Sequence, residues 1–198
     1  MERLIFATNN QHKVDEIRVA LNHRYHIISL KEAGINIEIP EPHDTLEKNA
    51  WEKAFTIHQL TGENCFSEDT GLEVFSLHGE PGVKSARYAG DDCSFDKNIQ
   101  KLLENMSGIA NREARFRTVI TLILDTKEYH FEGVCDGHII TEKKGTMGFG
   151  YDPVFVPGDS AYTFAEMNMA EKNKYSHRKK AVDKMIAFLQ NYQLKASE

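Results

Sequence analysis

The run ARFRTVITLIL, residues 114–124, constrains this chain more than any other segment, because it reads as β-branched and apolar on both faces. A strand of that kind belongs in the centre of a sheet that is covered on both sides. Its neighbour in sequence, Tyr129 to Cys135, alternates apolar and polar residues and is expected to pair beside it. The chain is therefore expected to be α/β, with helices packed on a sheet.

Other segments fill in that frame. RLIFAT at 3–8 reads as a strand, and Val14, Ile17 and Leu21 after it fall at helical spacing. Residues 25–29 and 35–39 read as short strands. Asp44 and Glu47 resemble a capping box opening a helix from about Thr45 to Leu60. In CFSEDTGLEVFSL two apolar stretches flank SEDTG, which is expected to be an acidic turn carried by a strand. HGEPGVKSARYAGDD lacks any period and reads as an ordered loop. Ser94 is expected to cap a helix bearing Ile99, Leu102, Leu103 and Met106, and Ser176 a final helix burying Val182, Met185, Ile186 and Leu189.

Length and charge narrow the function. At 198 residues, with no internal repeat and no Gly/Ser linker, the whole span 1–198 is expected to form one domain. The 24 basic residues are outnumbered by 30 acidic ones, and no basic block is present, so long nucleic acid is not the expected partner. A small anion held by a few converging cations remains open. Cys65, Cys93 and Cys135 form no C-x-x-C pair and read as reduced core thiols. The first residues lack a signal-peptide pattern and no run approaches the roughly 18 apolar residues of a membrane helix, so the expected location is cytoplasmic, away from membranes.

Four polar clusters interrupt the scaffold at element ends, where α/β proteins place ligands. Thr8, Asn9, Asn10, Gln11, His12 and Lys13 form a strand-to-helix turn that would suit a phosphate, or serve simply as a polar helix cap. No Walker motif is present. In Ser67-Glu68-Asp69-Thr70-Gly71, adjacent carboxylates, with Glu41, Asp44 and Glu47 elsewhere, would suit Mg²⁺ rather than zinc, or general-base work, or a solvated acidic turn. Phe149, Gly150, Tyr151 and Asp152 could hold a flat base by stacking and hydrogen bonding, or form an aromatic-packed turn. Lys172 with Ser176, His177 and Arg178 places cations against the dipole of the last helix's start, which is unfavourable unless an anion or ligand compensates; a solvated basic face is the alternative.

In this order the clusters, ATNNQHK, SEDTGLEVFSLHGEPGVKSARYAG, GFGYDPVF and KNKYSHRKKA, resemble the inosine triphosphate pyrophosphatase family, also called the Ham1 family. The resemblance spans nearly the whole chain. Asn9 stands where that family usually has glycine, and Glu68 and Thr70 replace the first aspartate and the serine of DDSG. Asn9 is expected to tolerate a left-handed backbone. The resemblance implies an elongated mixed β-sheet flanked by helices, forming two lobes with a central cleft, in a homodimer. It implies Mg²⁺-dependent hydrolysis of ITP, dITP and XTP to the monophosphate and pyrophosphate. By similarity, Thr8 to Lys13 would hold phosphates, Asp69 would be the general base, Glu41 and Asp69 would hold the metal, and Thr70 would touch substrate. Phe149, Gly150, Tyr151, Asp152, Lys172, His177 and Arg178 would enclose and read the base. The competing readings are a Maf-like nucleotide pyrophosphatase, against which GFGYDP and SHR argue, and a nucleotide sensor without turnover.

Overall fold

The computed structural model of the chain describes residues 3–21 and 25–196. Its strands are β1 (Arg3–Phe6), β2 (His26–Ser29), β3 (Cys65–Val74), β4 (Pro81–Gly82), β5 (Glu113–Leu124), β6 (Lys127–Ile139) and β7 (Phe155–Pro157). Its α-helices are α1 (Gln11–Leu21), α2 (Leu46–Thr61), α3 (Phe95–Asn105), α4 (Met169–Lys172) and α5 (His177–Ala196). The sheet runs in the order β2-β1-β3-β5-β6-β7, with β4 paired to β3. It is mixed: β1 lies parallel to β2 and β3, whereas β3–β4 and β6–β7 are antiparallel. Asp125 and Thr126, both at positive φ, turn β5 into β6 with the twist a two-residue hairpin requires.

The chain forms two compact units. The first comprises residues 1–69, 118–133 and 178–198, and strand alternation sorts its interior into two layers. Leu4, Phe6, Phe66, Ile120, Leu122 and Leu124 pack on one face against Val14, Ile17 and Leu21 of α1 and Val182, Met185, Ile186 and Leu189 of α5. The intervening residues Ile5, Ala7, Cys65 and Ile123 pack on the other face with Ala54 and Ile57 of α2. In this unit β5 is buried at every position from Thr118 to Leu124, as a central strand requires.

The second unit comprises residues 70–117 and 134–177. Leu72, Val74, Ala114, Phe116, Cys135, Ile139 and Phe155 form its core with Ile99 and Leu102 of α3, with Met106 just after that helix, and with Tyr151, Val154 and Phe164. Here β5 alternates, because Arg115 faces outward and pairs with Glu73 at 2.7 Å. The segment 78–92, expected as a loop, carries the two-residue strand β4 and a 3-10 turn at Ser85–Arg87. Buried Asn98 fixes it, accepting from Ala89 N at 2.7 Å and donating to Ala86 O at 2.9 Å.

Four expectations need correction. Residues 35–39 alternate in burial but form no strand; Ile35, Ile37 and Ile39 rest on the α2-side core without joining a backbone ladder. The cap of α2 is Thr45, whose hydroxyl accepts from Lys48 N, and not Asp44. SEDTG is no turn: it lies in line within β3, with both carboxylates buried. The three free thiols are not all core residues: Cys65 and Cys135 are buried in strands, whereas Cys93 is exposed in irregular backbone at φ 51.

Asn98→Ala removes a buried amide that satisfies three backbone groups of residues 85–89. It is expected to cost about 1–3 kcal/mol, read as a lowered urea midpoint.

Candidate functional site

Adjacent residues on a strand point to opposite faces, so Glu68 and Asp69 of β3 enter different layers of the first unit. Glu68, 2% exposed, shares the face of Phe66 and meets α1 and α5. Its carboxylate takes Arg178 in a bidentate pair, from Nε at 2.7 Å and Nη2 at 3.0 Å, and lies 3.0 Å from Lys13 Nζ. Arg178 Nη1 also donates to Glu16, buried on α1. Two carboxylates and two cations thus balance one another inside the unit. Burial alone would push the Glu68 carboxyl up, yet Arg178 and Lys13 hold it far below the usual carboxylate range. Burial likewise opposes the Arg178 charge, and Glu68 and Glu16 more than compensate, raising its pKa.

Asp69, 6% exposed, enters the layer of Cys65 and α2. Two residues earlier on the same face, the Ser67 hydroxyl donates to the Ala50 carbonyl of that helix. Lys53 of α2 donates to Asp69 Oδ1 at 2.9 Å and to Glu41 Oε1 at 2.5 Å. Burial pushes the Asp69 carboxyl above its ordinary value, and Glu41 adds to this, against the pull of Lys53 and Lys13. Burial opposes the Lys53 charge, but Asp69 and Glu41 hold the amine above its ordinary value. The two carboxylates are therefore chemically unlike: Glu68 is locked as an anion, whereas Asp69 is poised closer to taking up a proton.

The Thr8–Lys13 segment joins β1 to α1. Thr8 Oγ1 accepts from Asn10 N at 3.1 Å, and Asn10 Oδ1 caps the helix by accepting from Lys13 N at 3.3 Å. Exposed Asn9 donates to the Ile37 carbonyl, and Gln11 to Asp15. His12 is exposed and Lys13 half-buried. Asn9 is not at positive φ, so this position does not use the left-handed conformation.

In the second unit, residues 148–152 wrap around the Asp152 carboxylate. Asp152 Oδ2 accepts from Phe149 N at 2.9 Å and from Lys172 Nζ at 2.7 Å. Gly148 sits at φ 74, and a Cβ there would fall 2.0 Å from the same oxygen, so the turn demands glycine. Lys172 closes the four-residue α4 and lies 5.3 Å from the Phe149 ring centre and 5.2 Å from that of Phe164. Tyr151 is buried and donates from its hydroxyl to Ser85 O at 2.8 Å. Buried His177 stacks on Phe116 at 4.7 Å. Thr70 is half-buried, and Gly71 beside it approaches Gly82 too closely for any side chain.

The first unit thus gathers Lys13 and Arg178 around Glu68 on one face of β3 and Glu41 and Asp69 around Lys53 on the other, and the second unit brings together Phe149, Asp152 and Lys172. Lys53 and Glu16 were not singled out from the sequence. Both left a trace there: Lys53 falls on the buried stripe of α2 with Leu46, Ala50, Ala54 and Ile57, and Glu16 beside the stripe of α1. A charge at such a position needs a buried partner. Among the described residues, no group of three histidine, cysteine, aspartate or glutamate side chains is placed to hold a metal ion. Nor is any helix among them long and apolar enough to cross a membrane.

Comparison with known proteins gives concordant matches. A family profile described as the Ham1 family matches residues 4–188. The dITP/XTP pyrophosphatase of Porphyromonas gingivalis is 50% identical over 190 residues, covering 96% of this chain and 98% of its own. That of Flavobacterium johnsoniae is 47% identical over 187 residues, with 94% and 97% covered. The solved Ham1 protein of Staphylococcus aureus superposes with a TM-score of 0.87 at 35% identity, over 96% of this chain and all of its own.

Arg178→Leu leaves Glu68 and Glu16 buried without their guanidinium, at an expected cost of about 3–5 kcal/mol in urea unfolding. The double variant with Glu68→Gln is expected to cost less than the sum of the two single changes.

Proposed function

The chain belongs to the Ham1 family, and from that premise we propose that it is a nucleoside triphosphate pyrophosphohydrolase acting on ITP, dITP and XTP. Near-full-length identity to proteins named dITP/XTP pyrophosphatases carries this reading. A buried aspartate beside a lysine, in the segment where the motif expects a general base, supports it.

In the proposed reaction water attacks the α-phosphorus, Asp69 takes the water proton, and the bond from the α-phosphorus to the bridging oxygen breaks. Pyrophosphate leaves with the electron pair, and the nucleoside monophosphate remains. A base whose pKa lies above the ordinary aspartate value is better matched to this task than an unperturbed one. Lys13 and the Thr8–Lys13 turn at the start of α1 are assigned to the phosphates, where an ammonium and a helix N-terminus both favour anions. Thr70 is also assigned to substrate.

Mg²⁺ is the proposed metal. Its ligands would be Glu41 and Asp69, whose carboxylates converge on one cation, Lys53, in the present structure. An all-oxygen donor set of one or two carboxylates completed by substrate phosphates is the kind Mg²⁺ favours. When bound, the ion would offset the charge of the triphosphate. Lys53 then balances the two carboxylates from the helix side.

The base is assigned to Phe149, Gly150, Tyr151, Asp152, Lys172, His177 and Arg178. The Lys172–Asp152 pair fixes an ammonium, and Glu68 and Glu16 fix the Arg178 guanidinium. Such donors match the 6-keto oxygen of hypoxanthine or xanthine, whereas the 6-amino group of adenine would set donor against donor. A homodimer in the cytoplasm is proposed, and the three cysteines with no disulfide suit that compartment.

Pyrophosphate release from ITP, XTP and ATP, with and without Mg²⁺, tests the reading. Asp69→Asn is expected to lower turnover by roughly 10²–10⁴-fold while nucleotide affinity stays within about tenfold. Unchanged turnover removes Asp69 from the mechanism. Because the base must be ionised, kcat/KM should fall on acidification, with its limb above the ordinary aspartate value of 3.8 and absent in Asp69→Asn. Lys172→Met is expected to lower the ITP-over-ATP ratio of kcat/KM about tenfold or more, the worth of one charge-assisted hydrogen bond.

A further inference from the structure

Asn49 is 1% exposed and lies on the buried face of α2, which is apolar apart from it and Lys53 one helical turn later. Its side chain does not serve the helix. Oδ1 accepts from His43 N at 2.9 Å and Nδ2 donates to His43 O at 3.0 Å, so one amide satisfies both backbone groups of a single residue. That residue closes the segment Pro40-Glu41-Pro42-His43, which lies in neither helix nor strand and has prolines on both sides of Glu41. Each proline removes a backbone donor and fixes one φ, so the segment gains little support from backbone ladders and depends on side-chain anchors. From this segment Glu41 reaches Lys53 at 2.5 Å, and Lys53 reaches Asp69 at 2.9 Å.

We propose that Asn49 is a positioning residue for Glu41, clamping the backbone two residues away so that its carboxylate meets Lys53 and Asp69. Its consequence for metal use rests on the Glu41 assignment above. Helix α2 then supplies both halves of the arrangement from one rigid face: Lys53 sets the charge, and Asn49 sets where the loop delivers the opposing carboxylate. Without the clamp, His43 loses two hydrogen bonds and the segment has more room to move. Glu41 is then held less often where the second carboxylate, Asp69, can share a cation with it. Partners that orient a metal ligand from behind typically change metal affinity about 10–100-fold when removed.

Two measurements test this. In the metal-free protein, urea unfolding of Asn49→Ala, Glu41→Gln and the double variant reads the coupling between the two side chains. If Asn49 acts through Glu41, Glu41→Gln lowers the urea midpoint in the Asn49→Ala background by less than half as much as in the wild type. Additive losses overturn the proposal, whatever the kinetics. In ITP hydrolysis, Asn49→Ala is expected to raise the Mg²⁺ concentration for half-maximal turnover about tenfold. KM for ITP should change much less, and the Glu41→Gln background should show no further effect. If Glu41→Gln itself leaves the Mg²⁺ dependence unmoved, the metal assignment of Glu41 fails, and the unfolding cycle still decides the positioning role. Should Asn49→Ala not fold, the isosteric Asn49→Asp, which loses the donor to the His43 carbonyl, enters the same cycle with the same criterion.

Discussion

Two neighbouring carboxylates on a buried strand are the constraint on which the first unit depends. Neither Glu68 nor Asp69 can be left uncompensated away from water, and the strand sends them to opposite faces. Each layer must therefore bring its own cations. The α1 and α5 layer brings Lys13 and Arg178, with Glu16 completing the charge balance, and the α2 layer brings Lys53. The packing of three helices is thereby tied to the ionic pairing of two consecutive residues.

That division separates the carboxylates chemically. Against the pull of burial, a bidentate guanidinium and an ammonium make Glu68 a permanent anion, which suits a structural part in orienting Lys13 and Arg178. Asp69 is also desolvated by burial, but it shares one ammonium with Glu41 and feels that second carboxylate, so its proton affinity rises. Two acidic residues side by side in sequence acquire different capacities from the faces they occupy. In the second unit the same economy is visible on a smaller scale: Asp152 shapes its own loop and fixes Lys172 at once.

Much of the scaffold was legible in the sequence. The fully apolar end of β5, the stripes of α1, α3 and α5, and the Ser94 cap follow from periodicity and capping chemistry, which are local properties. The 35–39 segment shows where periodicity falls short: alternation reports which residues face a core, but a strand also needs a partner backbone. The sequence shows four polar clusters at element ends, and the cations at the start of α5 called for compensation there. That compensation came from Glu68 and Glu16, which lie more than a hundred residues away.

The order of polar clusters, the small-residue turns and the apolar periods are written in the chain, because they depend on near neighbours and on covalent geometry. Family membership follows from the same patterns. Whether SEDTG is a wet turn or a buried strand, which cation meets which carboxylate, and that Lys53 and Asn49 belong with Glu41 were settled only by folding. Each of those facts is a pairing across long separations, and a charge inside a protein takes its energy from partners that local sequence does not specify.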